Sequence, residues 1–493
     1  MIVRNEGHQL SNCLSPVAEV FDEIVVVDTG SRDETREVAR RFTTKVFDFP
    51  WCDDFSAARN ESLRHAAGEW IFWLDADDRI SPDNIARLRE LLSGLDLGPD
   101  AYMMETAVRM DRDSRDSERL VSHMRLFRRH PALSWSGRVH EQIRPWPTAI
   151  GLEIGSSPVR IEHVGYMEPG LAQRKLRRNI RLLRMDYAIN PDDPQILVDL
   201  GFATAQGGDF TEARRLLRRV LEQPEQSSFL LLRVLTTLGE LETHAGNYLE
   251  VTKLMARGLS LFPGDEYLAY MHAEAFYNLG RYDLAKRLLA GIIDGPPQPR
   301  GLHVGTPADI KRRLAPLGLG EVLRSERAFG HAETIFREVA EAFHSDASAW
   351  YFLGRVYVDV DNRRGLDEMM SRLAGCERGD FYASLLIGAW QLSQRDWKGA
   401  EATIDDLICQ APQLLLPRVM RATCLSRRGA SAAAQLQAYR DVLRVQPGNT
   451  HAVNMVERLS ITRAISGTNS VGLSTSVILG AGVPNGVIST APA

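Results

Sequence analysis

An apolar run ends in two carboxylates in the stretch Glu69-Trp70-Ile71-Phe72-Trp73-Leu74-Asp75-Ala76-Asp77. A second apolar run, Glu23-Ile24-Val25-Val26-Val27, ends in the same way at Asp28. Short, unbroken apolar strands separated by helical stretches are typical of a parallel sheet that is covered on both faces. Ligands of such sheets bind beyond the carboxyl ends of the strands, so we expect Asp28 and Asp75 to face one crevice.

The surrounding sequence continues this alternation of strands and helices. Residues 31–41 are typical of a crossover helix, and Ser81-Pro82 indicates the start of another, with Ser81 as the N-cap. Further strands are expected near residues 101–110, 122–128 and 158–163. We therefore predict an α/β domain over residues 1–190, with a mostly parallel, Rossmann-like sheet.

A repeat organises the chain that follows. Gly354 and Gly388 lie 34 residues apart, and Gly388 is followed by Trp397, Ala400 and Pro412, a layout that other units repeat in part. A small residue, an aromatic, an alanine and a proline at this period form the tetratricopeptide pattern. We predict an all-α solenoid of about seven units over residues 194–459, with an insert near residues 301–312.

The composition is that of an ordinary globular protein. Its 493 residues allow two or three domains, and 59 basic against 64 acidic residues give no support for a nucleic-acid partner. The five cysteines form no C-x-x-C pair, which disfavours disulfides or a zinc site and favours the cytoplasm. We find neither a signal peptide nor a run of 18 apolar residues, so we expect no integral membrane segment. Residues 463–493, rich in Gly, Ser, Thr and Pro, are predicted to be a disordered tail.

The two strand ends carry different chemistry. Asp75 and Asp77 lie two residues apart, a spacing that suits a hard divalent cation shared with substrate phosphates. An Asp-x-Asp in a loop is often only a solvated turn or a helix cap, but its place directly after an apolar strand favours the cation. After Asp28, the residues Ser31 and Asp33 can cap the next helix. Asp28 itself, at the strand end, is expected to accept hydrogen bonds from a ligand.

As an ordered set, these motifs resemble the family 2 glycosyltransferases of the A fold. The resemblance rests on Met1-Ile2-Val3-Arg4-Asn5-Glu6, Asp28-Thr29-Gly30-Ser31, Asp53-Asp54-Phe55-Ser56, Arg59-Asn60 and Asp75-Ala76-Asp77-Asp78. It covers about residues 1–190. With the trailing repeats, the chain looks like the subgroup of sublancin-type peptide S-glycosyltransferases and their unassigned relatives.

The resemblance implies a nucleotide-sugar donor, with a bias towards a UDP-sugar, and a Mg²⁺ or Mn²⁺ ion. It implies that Asp28 contacts the uracil or ribose, that Arg59 approaches the base or diphosphate, and that Asn60 supports that loop. Asp75 would contact the ribose, or the metal through water, and Asp77 would bind the metal. We add two candidates for donor binding, Asp33 and Arg178; the basic stretch around Arg178 is equally typical of a solvated helix face.

The family inverts the anomeric centre, which requires a base that deprotonates the acceptor. Glu141 stands where the family places its acidic base, and His140 is the competitor because its ordinary pKa is near neutrality. His140 is equally suited to a structural hydrogen bond or a substrate contact. His163 resembles a histidine that completes the metal or diphosphate site, with a purely structural role as the alternative.

These observations predict an inverting, metal-dependent glycosyltransferase whose repeats recruit a protein or peptide acceptor. One alternative is an interaction scaffold with an inactive transferase domain. The start of the chain favours it, because only Met1, Ile2 and Val3 are available for a first strand, which is either very short or begins upstream. Another alternative is an enzyme of cell-envelope polysaccharide or lipid glycosylation.

Overall fold

In a computed structural model, the described residues are 1–109, 118–164, 171–224, 227–296 and 304–466. They form two compact units. The first comprises residues 1–234 together with 304–308, and the second comprises the described residues of 235–296 and 309–466. The predicted tail therefore lies, from residue 467 onward, outside the described residues, as does the start of the predicted insert.

The first unit contains every strand of the described chain. The strands are β1 (Ile2–Val3), β2 (Val26–Asp28), β3 (Val46–Asp48), β4 (Trp70–Phe72), β5 (Asp78–Arg79), β6 (Ala101–Arg109), β7 (Glu118–Arg128), β8 (Ser134–Ser136), β9 (Gln142–Arg144), β10 (Ile154–His163) and β11 (Val304–Pro307). Its helices are α1 (Gly7–Leu14), α2 (Thr35–Ala39), α3 (Phe55–His65), α4 (Pro82–Ser93), α5 (Leu171–Ile189), α6 (Pro194–Gln206), α7 (Phe210–Glu222) and the start of α8 (Ser228–Ala245). The predicted α/β class is confirmed.

The prediction of a mostly parallel sheet holds for only part of the unit. Strands β1, β2 and β3 pair in parallel, and β6 pairs in parallel with β10. The larger sheet, in the order β11-β7-β6-β10-β5, is otherwise antiparallel, and β4 pairs antiparallel with β7. Only eight residues (118 − 109 − 1) separate β6 from β7, whereas a parallel crossover needs a dozen or more.

The local signals for helix starts are confirmed at α4 and shifted at α2. Ser81 Oγ accepts a hydrogen bond from the Asn84 N–H at 3.4 Å, and Pro82 opens α4. The crossover helix is shorter than predicted, because Gly30 and Ser31 turn around Asp28 and the helix starts only at Thr35.

The second unit is helical, as the repeat pattern predicts. After α8 it contains α9 (Tyr248–Leu261), α10 (Glu266–Asn278), α11 (Tyr282–Asp294), α12 (Ala315–Ser325), α13 (Phe329–Ala342), α14 (Ala347–Asp359), α15 (Arg363–Leu373), α16 (Gly379–Ser393), α17 (Trp397–Gln410), α18 (Leu415–Arg427), α19 (Ala432–Val445) and α20 (Thr450–Ser466). Short turns join consecutive helices except α11 and α12, which are separated by residues 295–314. A π-helical turn at Ile310–Leu314 precedes α12.

The recurrent glycines let neighbouring helices approach closely. A Cβ atom on Gly320 would lie 2.4 Å from Cε1 of Phe336, whose ring is fully buried. On Gly354 it would lie 2.5 Å from Cδ1 of Leu386. The glycine at this repeat position is therefore a packing requirement, since both helices lack space for a methyl group.

Substitution of Gly320 by alanine should lower the free energy of unfolding by about 1–3 kcal/mol, because the methyl group overpacks against a rigid ring. Gly291, in α11, is the matched control, since nothing lies within 4 Å of its Cβ position. Gly291→Ala should be neutral or stabilise by up to about 1 kcal/mol. Urea unfolding midpoints measure both effects, and equal shifts for the two variants would contradict the packing argument.

Candidate functional site

Three carboxylates and a histidine converge where β4, β5 and β10 meet. Asp75 and Asp77 follow β4, Asp78 opens β5, and His163 ends β10 directly opposite Asp78 in the antiparallel pairing. One ligand atom from each of the four side chains lies within 4.8 Å of the others. The structure thus brings together the three residues that the sequence proposed for a metal site, and it adds Asp78.

Asp78 and Arg125 support this cluster from beneath. Arg125 Nη1 donates to Asp78 Oδ2 at 2.7 Å, and both side chains are almost completely buried. Asp78 Oδ1 lies 3.0 Å from His163 Nδ1, and Asp78 Oδ2 also accepts from the Asp75 N–H at 2.9 Å. Asp78 therefore fixes the histidine and the cluster backbone, as carboxylates that support metal-binding histidines do.

The electrostatics of the cluster suit a cation. Burial raises the pKa of Asp77 and outweighs the opposing charge of His163, and the carboxylates of Asp75 and Asp78 add to the rise. Burial also disfavours the ionised form of Asp75, but the positive charges of Arg59, Arg125 and His163 lower its pKa well below the ordinary value. Crowded carboxylates beside a histidine are a donor set that a hard divalent cation fits, because it relieves their mutual repulsion.

One carboxylate oxygen of Asp28 accepts hydrogen bonds, and the other has no hydrogen-bond partner. Its side chain is buried, and Oδ1 accepts from the Gly30 N–H at 2.9 Å, the Ser31 N–H at 2.8 Å and Arg36 Nη2 at 3.0 Å. Burial opposes ionisation, but these hydrogen bonds lower the pKa of Asp28. Oδ2 is buried without a hydrogen-bond partner. Such an orphan acceptor suits a ligand N–H or O–H donor.

Asp33, predicted among the donor-binding residues, accepts backbone hydrogen bonds from two helix starts. Its carboxylate accepts from the Gly7 N–H at 3.1 Å and from the Thr35 N–H at 3.1 Å. It thereby ties the start of α1 to the start of α2. These contacts account for Asp33 by the capping role that the sequence also suggested.

Arg59 lies inside the protein, between the cluster and the acceptor loop. Nη2 donates to Asp75 Oδ1 at 2.8 Å and Nε to Glu141 Oε1 at 2.5 Å. Its guanidinium carbon lies 4.5 Å from the ring centroid of Trp73 and 5.0 Å from that of Trp135. With only a small exposed fraction, Arg59 orients these two carboxylates.

Asn60 holds strand β8 in place. Its side-chain nitrogen donates to the Trp135 carbonyl at 2.9 Å, and its oxygen accepts from the Trp135 N–H at 2.7 Å. Asn60 thus bonds both backbone groups of Trp135, as a residue of a neighbouring strand would. Asn60 therefore supports the loop that follows β8, which carries the candidate bases.

The candidate bases differ in setting. Glu141 is mostly buried beside Arg59, whereas His140 is exposed, with a positive φ of 56°. Their loop is anchored to α5, because the Arg138 N–H donates to Asp186 Oδ2 at 2.9 Å and Arg138 Nε lies 3.0 Å from Asp186 Oδ1. On the same helix, Arg178 lies over the ring of Phe55 at 4.8 Å. The structure thus places Arg178 against α3.

Lys175, in the predicted basic stretch around Arg178, lies near the cluster, with its Nζ 3.8 Å from Asp77 Oδ2. Sequence reasoning missed the roles of two residues, Arg125 and Glu6. Burial, followed by the charge of Asp77, raises the pKa of Glu6 to about 7, and Asp33 contributes to the rise. The pKa of Glu6 therefore depends on charges both in the loop after β2 and in the cluster after β4. This indicates that the two strand ends share one acidic region. For Arg125, the available sequence signal was an arginine at an inward position of β7.

Among the described helices, none combines the length and the apolar character that crossing a membrane requires.

Comparisons with known proteins agree with this architecture. Residues 1–136 match the family model described as glycosyl transferase family 2. A TPR repeat-containing protein of Synechococcus elongatus is 32% identical over 265 residues, which cover 50% of this chain and 62% of that protein. The SPbeta prophage-derived glycosyltransferase SunS of Bacillus subtilis is 29% identical over 216 residues, which cover 41% of this chain and 47% of SunS. The chain thus spans less than two thirds of either relative.

Among solved structures, a tetratricopeptide repeat protein from Parabacteroides merdae aligns with 52% of this chain and 94% of its own, at 14% identity and a TM-score of 0.43. The predicted resemblance is confirmed by the family match and by the relatives, one named as a glycosyltransferase and one as a repeat protein. Residues 1–136 thus match the family 2 glycosyltransferases, and the described helices that follow are consistent with the tetratricopeptide pattern of the sequence.

Proposed function

We propose that the chain is an inverting, divalent-cation-dependent glycosyltransferase that moves a sugar from a nucleoside diphosphate donor, a UDP-sugar, to a protein or peptide acceptor. The observation that carries this proposal is the cluster of Asp75, Asp77 and His163 at the strand ends of a family 2 domain. The orphan oxygen of Asp28, at the end of β2, supports it.

In this proposal, Asp77, Asp75 and His163 hold Mg²⁺ or Mn²⁺. The ion, when bound, neutralises charge on the departing diphosphate. Asp78 and Arg125 keep His163 and Asp75 in position. Asp28 orients the donor by accepting a hydrogen bond from its base or ribose.

Glu141 is our proposed base, because its carboxylate stays within the site while His140 is exposed. Arg59 holds Glu141 through its Nε, which fixes the direction of the carboxylate. The acceptor hydroxyl, thiol or amide would give its proton to this carboxylate as it attacks the sugar. His140 then contacts the acceptor at the mouth of the site.

We further propose that residues 194–459 recruit the acceptor, and that the transferase itself extends over about residues 1–190. A helical repeat array offers a long surface on which an extended peptide can bind. All five cysteines, which lie in the described part of the chain, are free thiols. This supports our proposal of a cytoplasmic location.

A panel of nucleotide sugars tests the proposed function. UDP-sugars should raise the melting temperature of the full chain only when Mn²⁺ or Mg²⁺ is present. A ligand at 100 times its Kd stabilises a protein by about 2.7 kcal/mol, which is a readily measured shift. EDTA should abolish the shift, and the matching ADP-sugar is the control for the base.

The same panel decides between the proposed enzyme and a scaffold. Mn²⁺-dependent hydrolysis of the bound donor would support the enzyme. If no donor binds in the presence of metal, the proposal fails and the interaction scaffold with an inactive transferase domain is favoured. An inactive domain would be expected to lose Asp28, Asp77 or Glu141, and all three are present in this sequence.

A further inference from the structure

Strand β7 has an edge that is completed by a distant part of the chain. On one side, β6 pairs with β7 along nearly its whole length, from Glu118 to Phe127. On the other side, β4 pairs only with residues 126–128. Part of the remaining edge, residues 119–121, is paired with β11. Strands β4 and β11 thus lie along the same edge of β7, separated by residues 122–125.

Strand β11 arrives from within the sequence of the helical repeats. It lies between α11 and α12, in the insert that interrupts the repeat period, yet it belongs to the first unit. Val304 pairs with Val121 and Thr306 with Leu120, and the Ala308 N–H donates to the Glu118 carbonyl at 3.3 Å. Thr306 is buried. The insert therefore contributes β11 as a strand of the larger sheet.

The partner strand β7 also carries the residue that holds the acidic cluster. Arg125 lies four residues after Val121 and donates to Asp78. The Arg125 carbonyl accepts from the Trp73 N–H at 3.1 Å, and the guanidinium carbon lies 3.9 Å from the Trp73 ring centroid. Trp73 stands two residues before Asp75. The position of the cluster thus depends on where β7 lies.

We propose that β11 is a positioning strand: by pairing with the otherwise open edge of β7, it holds Arg125 in register with Asp78 and so keeps the Asp75–Asp78 cluster ordered. An unpaired edge exposes its backbone groups to water and frays. Fraying that reaches Arg125 withdraws the cation that fixes Asp78. The consequence for metal binding rests on the proposed function, whereas the consequence for cluster order does not.

Hydrogen exchange on the full chain tests the proposal without metal. Thr306→Pro removes a backbone N–H and disfavours pairing, whereas Thr306→Ser keeps both the N–H and the hydroxyl group. We expect Thr306→Pro to speed exchange by about tenfold or more in peptides covering 118–125 and 73–79. The second peptide contains the Asp75 and Asp78 amides, which are hydrogen-bonded in this structure. Thr306→Ser should stay close to the wild type.

The affinity for Mn²⁺ is a second measurement. If β11 only covers the edge of β7 and does not position the cluster, loss of β11 should leave this affinity unchanged. Loss of a residue that supports a metal site typically weakens metal binding about 10–100-fold, and we expect the lower end for Thr306→Pro. Faster exchange confined to 118–125, with 73–79 and the Mn²⁺ affinity unchanged, would overturn the proposal and leave β11 as an edge cover only. Unchanged exchange in both peptides would overturn it as well.

Two further results remain interpretable. If Thr306→Pro does not fold, as judged by faster exchange in α14 too, Ala308→Pro repeats the test by removing only the Ala308 N–H. If the wild type itself binds no Mn²⁺, the proposed function fails on that measurement. The exchange of 73–79 then decides alone whether β11 positions the cluster.

Discussion

Asp77→Asn is expected to reduce Mn²⁺-dependent donor hydrolysis by about 100-fold or more. The substitution keeps the size of the side chain and removes a charged ligand from the cluster. The charge stabilisation that a bound metal gives a departing diphosphate amounts to several kcal/mol, and each 1.36 kcal/mol is a factor of about ten in rate. Initial rates of donor hydrolysis at fixed Mn²⁺ measure the effect.

The same variant, although less active, should be at least as stable as the wild type in the absence of metal. Burial, followed by the neighbouring carboxylates, raises the pKa of Asp77. Without metal, Asp77→Asn removes both unfavourable effects on the ionised group, so its melting temperature should equal or exceed that of the wild type. The stabilisation by Mn²⁺ should be lost. Asp83→Asn, at an exposed position in the first turn of α4, is the matched control and should behave as the wild type. Hydrolysis by Asp77→Asn at the wild-type rate would refute our assignment of Asp77.

Arg59→Met should lower the free energy of unfolding by about 3–5 kcal/mol. The substitution leaves two carboxylates, on Asp75 and Glu141, without their shared cation in a largely buried site. Removal of one partner from a buried ion pair typically has a cost of this size. Urea unfolding, followed by the fluorescence of the tryptophans that enclose Arg59, measures it.

Arg64→Met, on the same helix, is the control, because Arg64 is exposed and pairs with Glu61 on the surface. Its effect should stay below about 1 kcal/mol. Adding Glu141→Gln to Arg59→Met should recover part of the loss, since the second change removes one of the orphaned charges. Equal stabilities of Arg59→Met and Arg64→Met would show that Arg59 does not hold these carboxylates.

The sequence was sufficient to predict the strand ends that carry the chemistry. Apolar runs ending at Asp28 and Asp75 are local signals, and the structure places Asp28 at the end of β2 and Asp75 three residues after β4. The helical repeats were predictable for a related reason. Each repeat satisfies its own packing with nearest neighbours, so that a glycine such as Gly320 records a contact close in sequence, with Phe336.

Pairings between distant residues were not predictable in this way. Arg59 was assigned to the donor, but its place between Trp73 and Trp135 depends on three separate segments meeting. The support of Asp78 by Arg125 is likewise a contact across 47 residues. No local pattern records which strand will lie beside which, and the mixed order of the larger sheet follows from the same non-local pairing.

The pairing of β11 with β7 has a consequence for the synthesis of this protein on the ribosome. The last residue of β11 is made 179 residues after the last residue of β7 (307 − 128). At a synthesis rate of about 5–20 residues per second, that gap lasts about 10–35 s. For this time the nascent transferase sheet carries an open edge of the kind that recruits other strands. Slow or stalled translation of the repeats would therefore expose the enzyme end of the chain to aggregation, even though that end was made first.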